Sequence, residues 1–170
     1  APVGAYFADD SGRAAAEADR SAAVTHHHAE GRAGAIAVAV AAAWAWQYQA
    51  GGRQADPLDM LRTAADRLDD SETRRAIAAI AEIGLDAPPR KIAGVFGSGH
   101  YITAHDTVPF CLWCAARHID DFAEALWTAA EVGGDIDTTC AMIGGIVSQS
   151  VGRDGLPEHW RSTREPLPAL

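Results

Sequence analysis

The segment Gly133-Gly134-Asp135-Ile136-Asp137-Thr138-Thr139 places two carboxylates and a hydroxyl within four positions, directly after two glycines. All-oxygen donors of this kind suit a hard cation such as Mg²⁺, Mn²⁺ or Ca²⁺. The glycines let the backbone approach an ion or a phosphate closely. An apolar, helix-like run follows from Cys140 to Val147, and a helix there turns its positive end toward whatever the carboxylates hold. The same D-x-D-T pattern is also that of an acidic helix cap. Asp and Thr are usual cap residues, so spacing alone leaves both readings open.

Two other groups attract a chemical reading. Cys111-Leu112-Trp113-Cys114 has CxxC spacing. A thiol redox site wants that motif at a helix start after a strand, whereas here it lies a turn inside a helix that begins near Pro109. A zinc site needs two more ligands, for which Cys140 and a histidine are the candidates. The simpler reading makes Cys111 and Cys114 small core residues. His26-His27-His28 looks like a metal cluster, but consecutive side chains diverge. One of the three is expected to face a site and the others to be structural or exposed. Asp106 reads as a helix N-cap. Trp44, Trp46, Trp113 and Trp127 sit on helical segments, where core packing is the default.

The elements that must position these residues are helices. Gly31 to Ala50 reads as one long Ala-rich helix. Asp56-Pro57 opens a helix through about Leu68. Ser71 caps the next, with Glu72 in its first turn and Gly84 as its stop. Ile77, Ile80, Ala81 and Leu85 fall at helical spacing and belong to a core. Pro88-Pro89 reads as a loop, followed by a short segment from Ile92 to Phe96 and a glycine loop at Gly97 to Gly99. Thr107 to Arg117 is the next helix, Asp120 or Asp121 caps another through about Glu131, and a further helix runs from after Asp137 to about Val151. Arg161 to Leu170, with two prolines, reads as a loose tail. No alternating β pattern and no internal repeat is evident, so the expectation is all-α: a compact bundle with orthogonal, non-parallel crossings.

The 170 residues suffice for one domain with a core, and 48% hydrophobic with 22% charged is ordinary for a globular chain. The formal net charge of −9 argues against nucleic-acid binding, which needs a basic surface. It also means that a phosphate-rich ligand must be held by local features. The Ala-rich run falls short of a clean transmembrane segment, so no membrane partner is expected. Three cysteines, an odd count, give no disulfide framework and suit a reducing cytoplasm.

Several motifs agree in order and spacing. They are Gly97-Ser98-Gly99-His100-Tyr101, then Asp106-Thr107-Val108-Pro109-Phe110-Cys111-Leu112-Trp113, then Phe122-Ala123-Glu124-Ala125-Leu126. The Gly-Gly-Asp-x-Asp-Thr-Thr segment follows, then Ala141-Met142-Ile143-Gly144-Gly145-Ile146-Val147 and Gly155-Leu156-Pro157-Glu158-His159-Trp160. Upstream stand Ser21-Ala22-Ala23-Val24-Thr25-His26 and Gly34-Ala35. Together these resemble the C-terminal portion of the ADP-ribosylglycohydrolase family, to which dinitrogenase-reductase-activating glycohydrolase and J1 crystallin are similar. The resemblance covers nearly the whole chain.

The resemblance implies an all-α hydrolase with a binuclear Mg²⁺ or Mn²⁺ site. Such an enzyme removes ADP-ribose from a modified protein side chain or a small acceptor. By position it implies Asp135, Asp137 and Thr138 as metal ligands, with Asp135 and Asp137 the catalytic carboxylates. It puts His26 in the ADP-ribose cleft and Gly97, Ser98 and Gly99 near the ribose and phosphate. Ile136 departs from the family pattern, where Thr is common. A larger departure is that the family's Gly-Asp-Ala and Thr-Asp-Asp-Thr motifs do not occur in these residues, and the second supplies the other metal ligands. The chain is therefore expected to be the C-terminal portion of a single domain, residues 1–170, incomplete at its N-terminus. Its complementary N-terminal half is then a partner, without which it is inactive. The alternative is a non-catalytic member of the same fold, an ADP-ribose binder or a structural protein of the J1 crystallin kind.

Overall fold

A computed structural model describes residues 1–166. Among them are ten α-helices, one short 3-10 turn at Arg153–Gly155 and no strand. The expected all-α class is the observed one.

The architecture is organised around α3 (Ala29–Ala50). Its sequence is apolar on all sides, which is the pattern of a helix that other helices surround. Every residue from Ala37 to Ala43 is buried. Small side chains make this possible by letting neighbours approach closely. α1 (Pro2–Tyr6) comes so near that a Cβ on Gly4 would overlap the Ala39 carbonyl. α2 (Ser11–Ala23), α4 (Leu58–Asp66), α7 (Ala104–Arg117) and α9 (Ile136–Val151) complete the ring around it. α7 is the second buried rod, from Asp106 through Ala116, with Phe110, Leu112 and Trp113 at its centre. Ile143, Ile146 and Val147 of α9 close that side of the core.

Most boundaries follow local chemistry. Ser71 Oγ accepts the Arg74 N–H at 3.1 Å to open α5 (Glu72–Ile83), and Gly84 ends it at φ +83°. Asp121 accepts the Glu124 N–H at 3.0 Å to open α8 (Phe122–Val132). The expectations fail in four places. Pro88-Pro89 is no loop: Pro89 is the first residue of α6 (Pro89–Phe96), where its missing N–H costs no hydrogen bond. α7 begins at Ala104, with Thr103 at its N-cap, so Asp106 lies inside the first turn. Arg161 to Thr163 belong to α10 (Glu158–Thr163), and the rest of the expected tail lies partly outside the described residues. Trp113 is fully buried, but Trp46 and Trp127 are 42% and 54% exposed.

A polar clamp joins the start of α3 to the start of α5. The Glu30 carboxylate accepts the N–H groups of Glu72 and Thr73 at 2.7 and 2.9 Å, and the Thr73 hydroxyl at 2.7 Å. Burial pushes its pKa up, but the Thr73 hydroxyl and the two N–H groups outweigh that and hold it below the ordinary 4.5. A carboxyl depressed on folding stabilises the fold above its unfolded pKa and loses that contribution as the pH falls through the folded one.

Two measurements follow. Ala41→Leu forces a larger side chain into a fully enclosed position and should cost about 1–3 kcal/mol in urea unfolding. The stability difference between wild type and Glu30→Gln should be constant from neutral pH down to about 5 and shrink below it. A difference that grows on acidification would show that the clamp does not depend on the ionised carboxylate.

Candidate functional site

The Gly-Gly-Asp-x-Asp-Thr segment is the junction between α8 and α9. Gly133 and Gly134 have φ of +89° and +93°, values that side-chain-bearing residues rarely adopt. They turn the chain out of α8 so that Asp135 becomes the N-cap residue of α9 and Asp137 and Thr138 fall in its first turn. The acidic-cap reading can now be examined directly. Asp135 makes no side-chain cap bond of full geometry. Instead its carboxylate is held below the ordinary range first by a hydrogen bond from the Asp137 carboxyl, then by the Thr138 hydroxyl. Desolvation opposes this, and the Thr138 N–H adds the weakest pull. Asp135 and Thr138 are half-buried and Asp137 is exposed.

Asp135 and Thr138 line a cleft of about 840 Å³, within the range of about 300–1,000 Å³ usual for small-molecule sites, and Asp137 stands outside its lining. The cleft is deep because its α3 wall is made of Gly31, Gly34, Ala35 and Val38. Four helices begin at its edge: the N-cap residues Ala1 of α1, His28 of α3, Thr103 of α7 and Asp135 of α9 all line it. Helix starts carry unpaired N–H groups and the positive end of the helix dipole, so their convergence favours an anionic ligand. No lysine or arginine lines the cleft among the described residues.

His26 and His28 both line the cleft, and His27 does not. The His26 ring shares a hydrogen bond of 2.7 Å with the Thr25 hydroxyl through Nδ1, which leaves Nε2 for other partners. His28 acts as a cap, its Nδ1 accepting the Glu30 N–H at 3.2 Å. Gly97, Ser98 and Gly99 are not part of the cleft lining. They pack on the α8–α9 junction: the Ser98 carbonyl accepts the Asp135 N–H at 3.2 Å, and a Cβ on Gly99 would lie 2.7 Å from Asp135 Cβ. The sequence reading missed the first turn of α7, from Thr103 to Thr107, as a wall of the site. Thr103-Ala104-His105-Asp106 fits the T-x-x-D form of a helix start, and that signal could have placed it.

The donor set suits a hard divalent cation in kind. The Asp137 carboxyl can support the Asp135 carboxylate only by donating a proton to it, a place that a cation could take, and the Thr138 hydroxyl adds a neutral oxygen. It is partial in number. No group of three His, Cys, Asp or Glu side chains able to hold a metal occurs among the described residues. The remaining oxygens must come from water, ligand or another segment. The cysteines offer nothing comparable. Cys111 and Cys114 are buried within α7, and burial pushes both thiols far above their ordinary pKa, away from the thiolate that metal binding or redox chemistry needs. No helix among the described residues is long and apolar enough to cross a membrane.

No curated protein and no solved structure matches the chain. A model of the ADP-ribosylglycohydrolase family does, over residues 1–168, and that span takes in the glycine loop, the α8–α9 junction and the helix starts that frame the cleft. The chain belongs to the ADP-ribosylglycohydrolase family, and so to the glycohydrolases that act on ADP-ribose-type bonds.

Proposed function

We propose that this chain carries one half of a metal-dependent site that hydrolyses the glycosidic bond between ADP-ribose and a protein side chain or small acceptor. The observation that carries the reading is that Asp135 and Thr138, with Asp137 beside them in the same helix start, line a cleft bordered by the N-cap residues of α3, α7 and α9. In a protein of net charge −9, these helix starts supply the local positive field that a diphosphate requires. The cleft holds the ADP-ribose. His26 offers Nε2 to a ribose or phosphate oxygen, and Gly97 to Gly99 act from behind the lining, by holding the backbone of Asp135.

Hydrolysis at the anomeric carbon passes through an oxocarbenium-like state, so the site must orient the ribose and present water to it. A Mg²⁺ or Mn²⁺ pair would supply Lewis-acid charge there and make water a better nucleophile. Asp135 and Asp137 would hold it with anionic oxygens and Thr138 with a neutral one. The first turn of α9 keeps the three in register, because its backbone fixes their spacing. Further ligands and a proton-transferring group come from a complementary N-terminal segment, since no Thr-Asp-Asp-Thr occurs in these residues. In this reading the chain without that segment is inactive. Free, buried cysteines agree with a reducing compartment, the cytoplasm.

The test is release of ADP-ribose from a modified peptide by the complete protein, with and without added Mg²⁺ or Mn²⁺. Asp135→Ala and Asp137→Ala should each lower turnover by about 10²-fold or more, because the charge that positions the ribose is lost. Cys111→Ser and Cys114→Ser should lower stability modestly and leave hydrolysis near the wild-type rate. Full metal-dependent activity in Asp137→Ala would remove the site assignment. A wild type that binds ADP-ribose and releases none from any acceptor would make the non-catalytic reading the better one.

A further inference from the structure

The carboxylate of Asp106 is buried, and the mechanism above does not use it. It lies in the first turn of α7, yet it bonds to no group of that turn. Its Oδ2 accepts the N–H of Tyr101 at 2.7 Å. Its backbone carbonyl accepts the N–H of Gly99 at 3.1 Å. Gly97 is pressed so closely against it that a Cβ there would overlap Asp106 Oδ1, and Gly97 and Gly99 both adopt positive φ to allow this approach. One residue thus holds the glycine loop at three successive points: 97, 99 and 101.

The other side of the same loop holds Asp135. The Ser98 carbonyl accepts the Asp135 N–H, and a Cβ on Gly134 would overlap that carbonyl oxygen. Gly99 abuts Asp135 Cβ. The Asp135 N–H bond to Ser98 thus ties the start of α9 to the loop. The carboxylate that faces the cleft is aimed by a backbone whose nearest support is the glycine loop, and that loop is supported by Asp106.

We infer that Asp106 is the positioning residue of the acidic pair, its buried carboxylate setting the orientation of Asp135 by way of the loop from Gly97 to Tyr101. The inference rests on the proposed metal site only for its consequence, which is cation affinity. Its structural content is independent of any ion. The role is that of an acceptor, not of a charge. Asparagine keeps a carbonyl oxygen for the Tyr101 N–H and should therefore substitute, whereas alanine should not. The loss of this buried hydrogen bond should loosen the loop and the start of α9 together.

The test is residue-resolved amide hydrogen exchange by NMR on the wild-type chain, Asp106→Ala and Asp106→Asn. In Asp106→Ala the amides of Tyr101 and Asp135 should both lose protection by about tenfold or more, with α5 unchanged. In Asp106→Asn they should stay within about threefold of wild type. Unchanged protection at Asp135 in the alanine variant, or equal damage from asparagine, overturns the inference. If Asp106→Ala is not recovered folded, Asp106→Val, which keeps a side chain of similar bulk and removes both acceptor oxygens, carries the same expectation for Tyr101 and Asp135. A parallel Mn²⁺ titration reads the consequence: Asp106→Ala should bind about 10–100-fold more weakly, the range found for groups that orient ligands. Equal Mn²⁺ response in wild type and Asp135→Ala would remove the metal reading, while the exchange data still decide the positioning role.

Discussion

The structure depends on how little room α3 takes up. A helix surrounded by five others must either hold its neighbours apart or present almost no side chain, and the alanine run from Ala37 to Ala43 takes the second course. Packing then brings backbones within reach of one another, as at Gly4 on Ala39, and dispersion contacts accumulate over the full length of the rod. Larger residues come in from outside, mainly Phe110, Leu112 and Trp113 of α7 and the isoleucines of α5 and α9. The same economy makes the cleft. At its N-terminal end α3 still offers glycine, alanine and valine, but there no helix fills the space beside it.

What borders that space is mostly helix beginnings, and this resolves an apparent conflict between charge and ligand. A chain of net charge −9 is a poor long-range attractor for a diphosphate. Over a few ångströms the net charge matters less than the groups that point inward. The N-cap residues of α3, α7 and α9 line the cleft, so the positive ends of three helix dipoles lie near by. In the proposed function the carboxylates and the helix starts are complementary: the first would recruit positive charge, and the second would favour the anion that such charge holds.

Legibility in the sequence varied with the kind of signal. α5 and α8 were readable because their caps are local: Ser71 and Asp121 satisfy the N–H groups three residues on, and Gly84 needs its own positive φ. α6 was not, because a double proline marks a break and a helix start equally well. The junction from Gly133 to Thr138 announced its chemistry through residue type. The walls opposite it did not. The T-x-x-D pattern at Thr103 marks a helix start, but nothing local says that Thr103, Ala104 and Val108 stand across from α3 at such sequence separation. Exposed Trp46 and Trp127 fail for a related reason, since aromatic character says nothing about which face of a helix is covered.

The D-x-D-T pattern itself shows why a cap and a ligand set are hard to tell apart on paper and easier in three dimensions. A capping aspartate uses its carboxylate on the N–H groups of the turn it begins, which gives an inward, closed geometry. Asp121 does this at the start of α8, with a 3.0 Å bond to Glu124 N–H. Asp135 holds the same position at the start of α9 without a cap bond of full geometry, and the Asp137 carboxyl and Thr138 hydroxyl act on its carboxylate more strongly than the Thr138 N–H does. The carboxylate is thus directed mainly at side chains of its own first turn and less at the backbone N–H groups that an ordinary cap satisfies. Two helix starts with the same residue at the N-cap position therefore differ in what their carboxylates do: Asp121 closes α8, and Asp135 joins a small cluster of side-chain oxygens beside a cleft.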